Sequence, residues 1–78
     1  MEKKRLNELT PAEYEMERLA TDHLLRTHDI HKFEFIYMTE EEKSWNFLYE
    51  YTSKYDKPKS RKTKRLIIPV LKENNSIG

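Results

Sequence analysis

The sequence has no cysteine, and Gly78 is the only glycine among its 78 residues. Without cysteine there can be no disulfides, thiolate metal sites or cysteine nucleophiles. With glycine confined to the last position, no glycine-rich loop is present to cradle a phosphate group. The longest apolar run, residues 66–71, is far shorter than the about 20 residues that a membrane-spanning helix needs. We therefore expect a soluble, cytoplasmic protein that does not interact with membranes.

Patterns typical of catalysis and metal binding are also missing. The serines lie outside any nucleophile motif, and the acidic triplet 40–42 is explained by helix capping. His23 and His28 are five residues apart, which on a helix turns them about 140° from each other. We expect His23 to be a hydrogen-bonded core residue, while a half-site formed by His28 and His31 stays open. The sequence predicts a non-enzymatic protein with no catalytic residues, no cofactor and no metal.

Length and charge indicate one small domain with two electrically different parts. We place the domain at 10–71, with a flexible N-terminal segment at 1–9 and a flexible tail at 72–78. Residues 10–53 carry ten acidic and four basic side chains, a net charge of −6. Residues 54–65 carry seven basic side chains and one acidic one, a net charge of +6. The overall charge of +1 therefore conceals a strong charge separation.

The first helix is the clearest element. Thr10 and Glu13 form a capping box with Pro11 at the first helical position, so the helix should begin at Pro11. Arg26 favours an end near Thr27, because basic groups stabilise the C-terminus of the helix dipole. Small and apolar side chains share one helical face, which we expect to be buried: Leu19, Ala12, His23, Met16, Thr27, Ala20 and Leu24.

Two strands and a second helix are predicted after it. Alternating aromatic residues predict a strand at Lys32–Met38. A Thr-x-x-Glu box at 39–42 predicts a helix that must end before Pro58. Residues 65–71 predict a second strand, which we expect to lie at a sheet edge or to carry a bulge, because Pro69 has no N–H to donate.

The predicted fold is thus a single α+β domain in the order α-β-α-β. Parallel and antiparallel pairing of its two strands both stay open. A two-stranded sheet is weak alone, so we expect a homodimer that extends the sheet or buries the second helix. The predicted core consists of Met16, Leu19, Ala20, His23, Leu24, Phe33, Phe35, Tyr37, Trp45, Leu48, Ile67 and Val70.

A basic loop at 56–65 follows the predicted second helix and suggests nucleic-acid binding. Phosphates attract lysine and arginine, and exposed tyrosines can stack on unpaired bases. The leading hypothesis is a small regulatory module whose nucleic-acid-binding residues are Lys57, Lys59, Arg61, Lys62, Lys64, Arg65, Tyr51 and Tyr55.

A protein-binding adaptor or inhibitor, of the kind that mobile elements encode, is the alternative. On a helix the aromatic residues of 45–55 would span about 200°, wider than one core requires. Part of that arc would then be available to a host or partner protein. The predicted interface is a stripe formed by Phe47, Tyr51 and Tyr55.

Overall fold

A computed structural model describes residues 3–55, 57, 59 and 62–72 of the chain. One helix, α1 (Pro11–Thr27), packs on an antiparallel sheet of four strands. The strands are β1 (Lys3–Lys4), β2 (Ile30–Glu40), β3 (Ser44–Ser53) and β4 (Lys64–Leu71), and their order in the sheet follows the chain. No helix in the described residues is long and apolar enough to cross a membrane.

Helix α1 has the predicted bounds and the predicted cap. The Thr10 hydroxyl accepts a hydrogen bond from the Glu13 N–H at 3.2 Å, and the Glu13 carboxylate accepts one from the Thr10 N–H at 2.9 Å. These two bonds satisfy donors that a helix N-terminus otherwise leaves without partners.

The predicted second helix is wrong, because residues 44–53 form strand β3. Odd-numbered side chains from Trp45 to Tyr51 lie on the face that α1 covers, and the even-numbered ones lie on the opposite face. This two-residue alternation of aromatic side chains favours a pleated, half-buried strand. The supposed capping box at 39–42 instead ends β2 and enters a tight turn, where the Glu41 N–H donates to the Ser44 carbonyl at 2.8 Å.

The predicted α-β-α-β order and two-stranded sheet are therefore replaced by one helix on a four-stranded antiparallel sheet. The first strand lies in the segment expected to be flexible, where Lys3 and Lys4 pair with Thr39 and Met38. A short 3-10 turn, Leu6–Glu8, then leads to α1. The edge position predicted for the last strand agrees with β4, which ends the strand order.

A bulge at Ile36 changes which side of β2 is buried. Phe35 lies opposite Tyr49, but Tyr37 lies opposite Leu48, so one residue is unpaired between them. After a bulge the alternation of faces is inverted. Met38 therefore lies in the core, whereas Tyr37 lies on the sheet face away from α1, which we call the open face.

The core lies between α1 and the sheet, and several residues predicted for it lie elsewhere. Leu19, His23, Phe33 and Ile67 are exposed, and Tyr37 and Leu48 lie on the open face. The prediction also missed core residues, namely Met38, Phe47, Tyr49 and Ile68. Ala20, Leu24, Met38, Phe47, Tyr49, Ile68 and Val70 form the buried cluster. Because the sheet covers only part of the apolar arc of α1, the side of the helix that carries Leu19 and His23 remains in solvent.

Candidate nucleic-acid interface

The basic loop joins β3 to β4 at the end of the sheet where α1 also ends. The start of β2 lies at this same end, because Ile30 pairs with Ser53. The Lys54 N–H donates to the Asp29 carbonyl at 3.0 Å, and the Tyr55 N–H donates to the Ser53 hydroxyl at 3.2 Å. These bonds fix where the chain leaves β3, so the loop begins from a defined position.

The described lysines of the loop are exposed. Lys57, Lys59 and Lys62 all have solvent-accessible side chains. Lys64 and Arg65, which were assigned to the same basic segment, are exposed residues at the start of β4. Arg61 lies outside the described residues.

Two of the cations at this end have acidic neighbours. Arg65 Nε lies 3.1 Å from Glu50 Oε2 on the open face, and Lys54 Nζ lies 3.9 Å from Asp29 Oδ1. Exposed pairs of this kind contribute little stability and are readily exchanged for another anion. Arg65 is nevertheless already engaged, so the loop lysines are better placed to attract a phosphate.

The two tyrosines assigned to nucleic-acid binding lie in different environments. Tyr55 is 75% exposed where the loop begins, which leaves its ring open for stacking. Tyr51 is partly buried on the helix side of β3, and its ring lies edge-on to His28 with centroids 5.5 Å apart. Of the two tyrosines, Tyr55 is therefore the one available for stacking.

The predicted protein interface of Phe47, Tyr51 and Tyr55 does not form a stripe. Their spacing of about one helical turn depended on a helix that is absent, since Phe47 and Tyr51 belong to β3 and Tyr55 follows it. Phe47 is completely buried against the core. No partner can reach that side chain in the folded chain.

The histidines also differ from expectation. His23 is exposed, so it is not the core histidine that the sequence suggested. His28 Nδ1 lies 2.8 Å from the Thr27 hydroxyl, next to the end of α1. Among the residues that the structure describes, no three His, Asp or Glu side chains converge in a way that could hold a metal ion.

Sequence reasoning missed one cation at this end. Lys32 is exposed on β2 opposite Thr52, and it lines a shallow depression beside the loop together with Thr63, Glu34 and Glu50. Only the antiparallel pairing of β2 with β3 brings Lys32 there, and the predicted second helix concealed that pairing.

No family model, curated protein or solved structure matches the chain.

Proposed function

We propose that the chain is a small, non-enzymatic regulatory module that binds nucleic acid through the basic end of its sheet. The observation that carries this proposal is the set of exposed lysines around the β3–β4 connection, Lys57, Lys59 and Lys62, with Lys32 of β2 beside them. A cytoplasmic location remains part of the proposal.

The distribution of charge supports a polyanionic ligand at this end. The turn between β2 and β3 lies at the opposite end of the sheet and contains Glu41 and Glu42 with Lys43, while Glu40 at the end of β2 is paired with Lys72. Positive charge concentrated at one end of a molecule steers that end toward a polyanion before contact. Phosphates would then meet flexible lysines, which bind them as point charges rather than in a fixed geometry.

A salt series of binding measurements tests the proposal. Labelled single- and double-stranded DNA and RNA would be titrated with the protein at about 50 and 200 mM salt. With four phosphate contacts on a duplex, affinity should fall by roughly a hundredfold across that range. No binding to any of the four at the lower salt contradicts the proposal and directs the search to a protein partner.

A matched pair of variants separates the loop from a general charge effect. Lys59→Ser with Lys62→Ser removes two exposed cations of the loop, whereas Arg18→Ser with Lys43→Ser removes two exposed cations elsewhere. Both variants have the same net charge. We expect the loop variant to reduce the salt slope by about two and the control to retain it. Equal losses would mean that the loop is not the binding surface.

Tyr55 distinguishes single-stranded from double-stranded ligands. Stacking of one base on an aromatic ring is worth about 1–3 kcal/mol, whereas paired bases are not available to the ring. Tyr55→Ala should therefore weaken single-strand binding by about tenfold and leave duplex binding nearly unchanged. Identical effects on both ligands would remove Tyr55 from the proposed site.

The alternative, a protein-binding adaptor or inhibitor, would need a surface other than the one first predicted. Phe47 is buried, and Tyr51 is packed against His28. Only Tyr55 of the three aromatic residues is well exposed.

A further inference from the structure

The outer edge of β4 is bordered by apolar side chains that the chain itself leaves exposed. A groove of about 560 Å³ runs between α1 and β4, lined by Leu19, Ala20 and His23 and by residues 66–71. Leu19 is 47% exposed and Ile67 is 56% exposed. Within the described residues no strand pairs with this edge. Exposed edges of this length invite another strand.

The backbone of β4 shows which groups point outward. The Lys72 N–H donates to the Lys43 carbonyl across the β3–β4 pair at 2.9 Å. The N–H and C=O of one residue point to the same side of a strand and alternate along it. The backbone N–H and C=O groups of the even-numbered residues of β4 therefore point toward β3. The backbone groups of Arg65, Ile67 and Pro69 point away from the sheet. Pro69 thus occupies a position where its missing N–H costs no bond to β3.

We propose that this edge pairs with the same edge of a second copy of the chain. β4 would run antiparallel to its equivalent about a two-fold axis at Ile67, joining two four-stranded sheets into one of eight strands. Ile67 would exchange two hydrogen bonds with its equivalent. Each Arg65 N–H would donate to the Pro69 carbonyl of the second copy.

Charge favours this register over the one centred on residue 66. An axis at residue 66 would bring the two Arg65 residues within about 7 Å along the strands, whereas an axis at Ile67 separates them by about 13 Å. In the Ile67 register the Arg65 carbonyl faces Pro69, which has no N–H to donate, and an axis at residue 68 would place the Ile67 carbonyl there instead. At each end of the paired strands, Lys72 would lie opposite Lys62 of the second copy. The repulsion between them is reduced because Lys72 Nζ lies 2.7 Å from Glu40 Oε2.

The side chains of both sheet faces continue across the proposed interface. On the open face, Tyr37, Leu48 and Ile67 form a cross-strand row, which Ile67 of the second copy would extend. On the other face, Leu66 would lie opposite Ile68 of the second copy. Cross-strand apolar pairs of this kind are the main source of stability in a sheet. A strand with polar side chains would not extend these rows.

Helix α1 supports the same partner. It packs over β3 and β4, so the two-fold places the two helices about two strand spacings apart, or about 10 Å. This is the distance at which helices pack. The side of α1 that would face its equivalent carries Ala12, Leu19 and His23, all exposed, with Arg26 at its C-terminal end, seven residues after Leu19. The unused part of the apolar arc would be buried there.

Sedimentation equilibrium of the intact chain tests the proposal directly. Over a concentration series we expect the mass to rise toward twice the 9.6 kDa of the chain. Leu19→Glu should weaken association by at least about a hundredfold, because two carboxylates would be brought together and desolvated. Leu25→Glu is the matched control, since Leu25 is 50% exposed on the opposite side of the same helix. It should leave the dimer intact.

Amide hydrogen exchange at Ile67 gives a second measurement that needs no variant. This N–H points away from β3, so it is protected only when a second strand is added. Its protection should increase with protein concentration, in parallel with the mass. A monomeric mass at all concentrations with fast exchange at Ile67 would overturn the proposal, as would equal losses of the dimer in both glutamate variants. The outcome does not depend on nucleic-acid binding.

Discussion

Replacement of Glu13 by glutamine should destabilise the fold in a pH-dependent way. The Glu13 side chain is only 7% exposed, and its oxygens lie 3.2 and 3.0 Å from Lys4 Nζ and 2.9 Å from the Thr10 N–H. The carboxylate therefore joins β1 to the start of α1. A glutamine could still accept from Thr10, but it would remove the negative charge that lies 3.0 Å from the Lys4 ammonium.

The expected loss lies between the values for exposed and buried ion pairs. Exposed pairs contribute about 0–1 kcal/mol, and breaking a fully buried one costs about 3–5 kcal/mol. Because Lys4 is 29% exposed at its side chain, we expect Glu13→Gln to lower the free energy of unfolding by about 1–2 kcal/mol. For a chain of this size that lowers the melting temperature by roughly 5–15 °C.

The pH dependence follows from the environment of this carboxyl. Burial alone would raise the pKa of Glu13, but the Thr10 N–H and the Lys4 ammonium outweigh it and hold the pKa below the ordinary value of 4.5. A lowered pKa stabilises the folded state above the unfolded-state pKa, and this stabilisation is lost as the pH falls through the folded-state pKa. The difference between wild type and Glu13→Gln should therefore be full at pH 7 and shrink below about pH 4.

Urea unfolding at equal protein concentration, followed by Trp45 fluorescence, measures this difference. Glu15→Gln is the control, because the Glu15 side chain is 64% exposed and lies 3.4 Å from Arg18. It should change stability by less than about 0.5 kcal/mol. If Glu13→Gln lowered stability equally at pH 7 and pH 3, the assigned role of the Lys4 pair would be refuted.

Two further substitutions test how α1 is held on the sheet. The Tyr49 hydroxyl donates to Glu17 Oε2 at 2.9 Å, and burial together with this carboxylate raises the pKa of Tyr49. Tyr49→Phe removes the hydrogen bond and should lower the free energy of unfolding, measured by urea titration, by about 1–2 kcal/mol. An unchanged urea midpoint would show that the bond does not contribute to stability. Leu24 is fully buried, so Leu24→Ala should lower the free energy of unfolding by about 2–5 kcal/mol. Leu25 is exposed, so Leu25→Ala should lower it by less than about 0.5 kcal/mol in the same assay. Similar losses in the two variants would contradict the assigned orientation of the helix.

Local signals predicted α1 and the last strand because their evidence lies within a few residues. Thr10, Pro11 and Glu13 define a helix start by hydrogen bonds that the sequence spacing alone determines. Pro69 likewise marks an edge strand through its missing donor. Neither inference required knowledge of what packs against the element.

The error at 44–53 arose where a local signal conflicted with tertiary pairing. The acidic run before Ser44 resembles a helix start, but β3 lies between β2 and β4 and pairs with both. A central strand gains two ladders and burial of Phe47 and Tyr49, which outweighs a few tenths of a kcal/mol per residue of helix propensity. The aromatic alternation was the signal that could have identified this strand.

The same error determined how much of the candidate site was predictable. The excess of lysine at 54–65 is visible from composition, whereas the addition of Lys32 depends on the β2–β3 register. Conversely, Phe47 cannot belong to the predicted interface, because its segment is a central strand that buries this side chain. Charge in a loop can be read from sequence, but the face on which an aromatic side chain lies depends on secondary structure.

The two proposed surfaces are compatible with each other. The basic loop leaves the end of the sheet, whereas the proposed dimer uses the side of α1 and the outer edge of β4. In the Ile67 register, Lys64 lies opposite residue 70 of the second copy, so the two loops begin about 20 Å apart at opposite ends of the paired strands. A short oligonucleotide would contact one loop, whereas only a longer strand would reach both. Because a second contact on the same molecule acts at high effective concentration, dimerisation would favour long nucleic acids without any additional lysine.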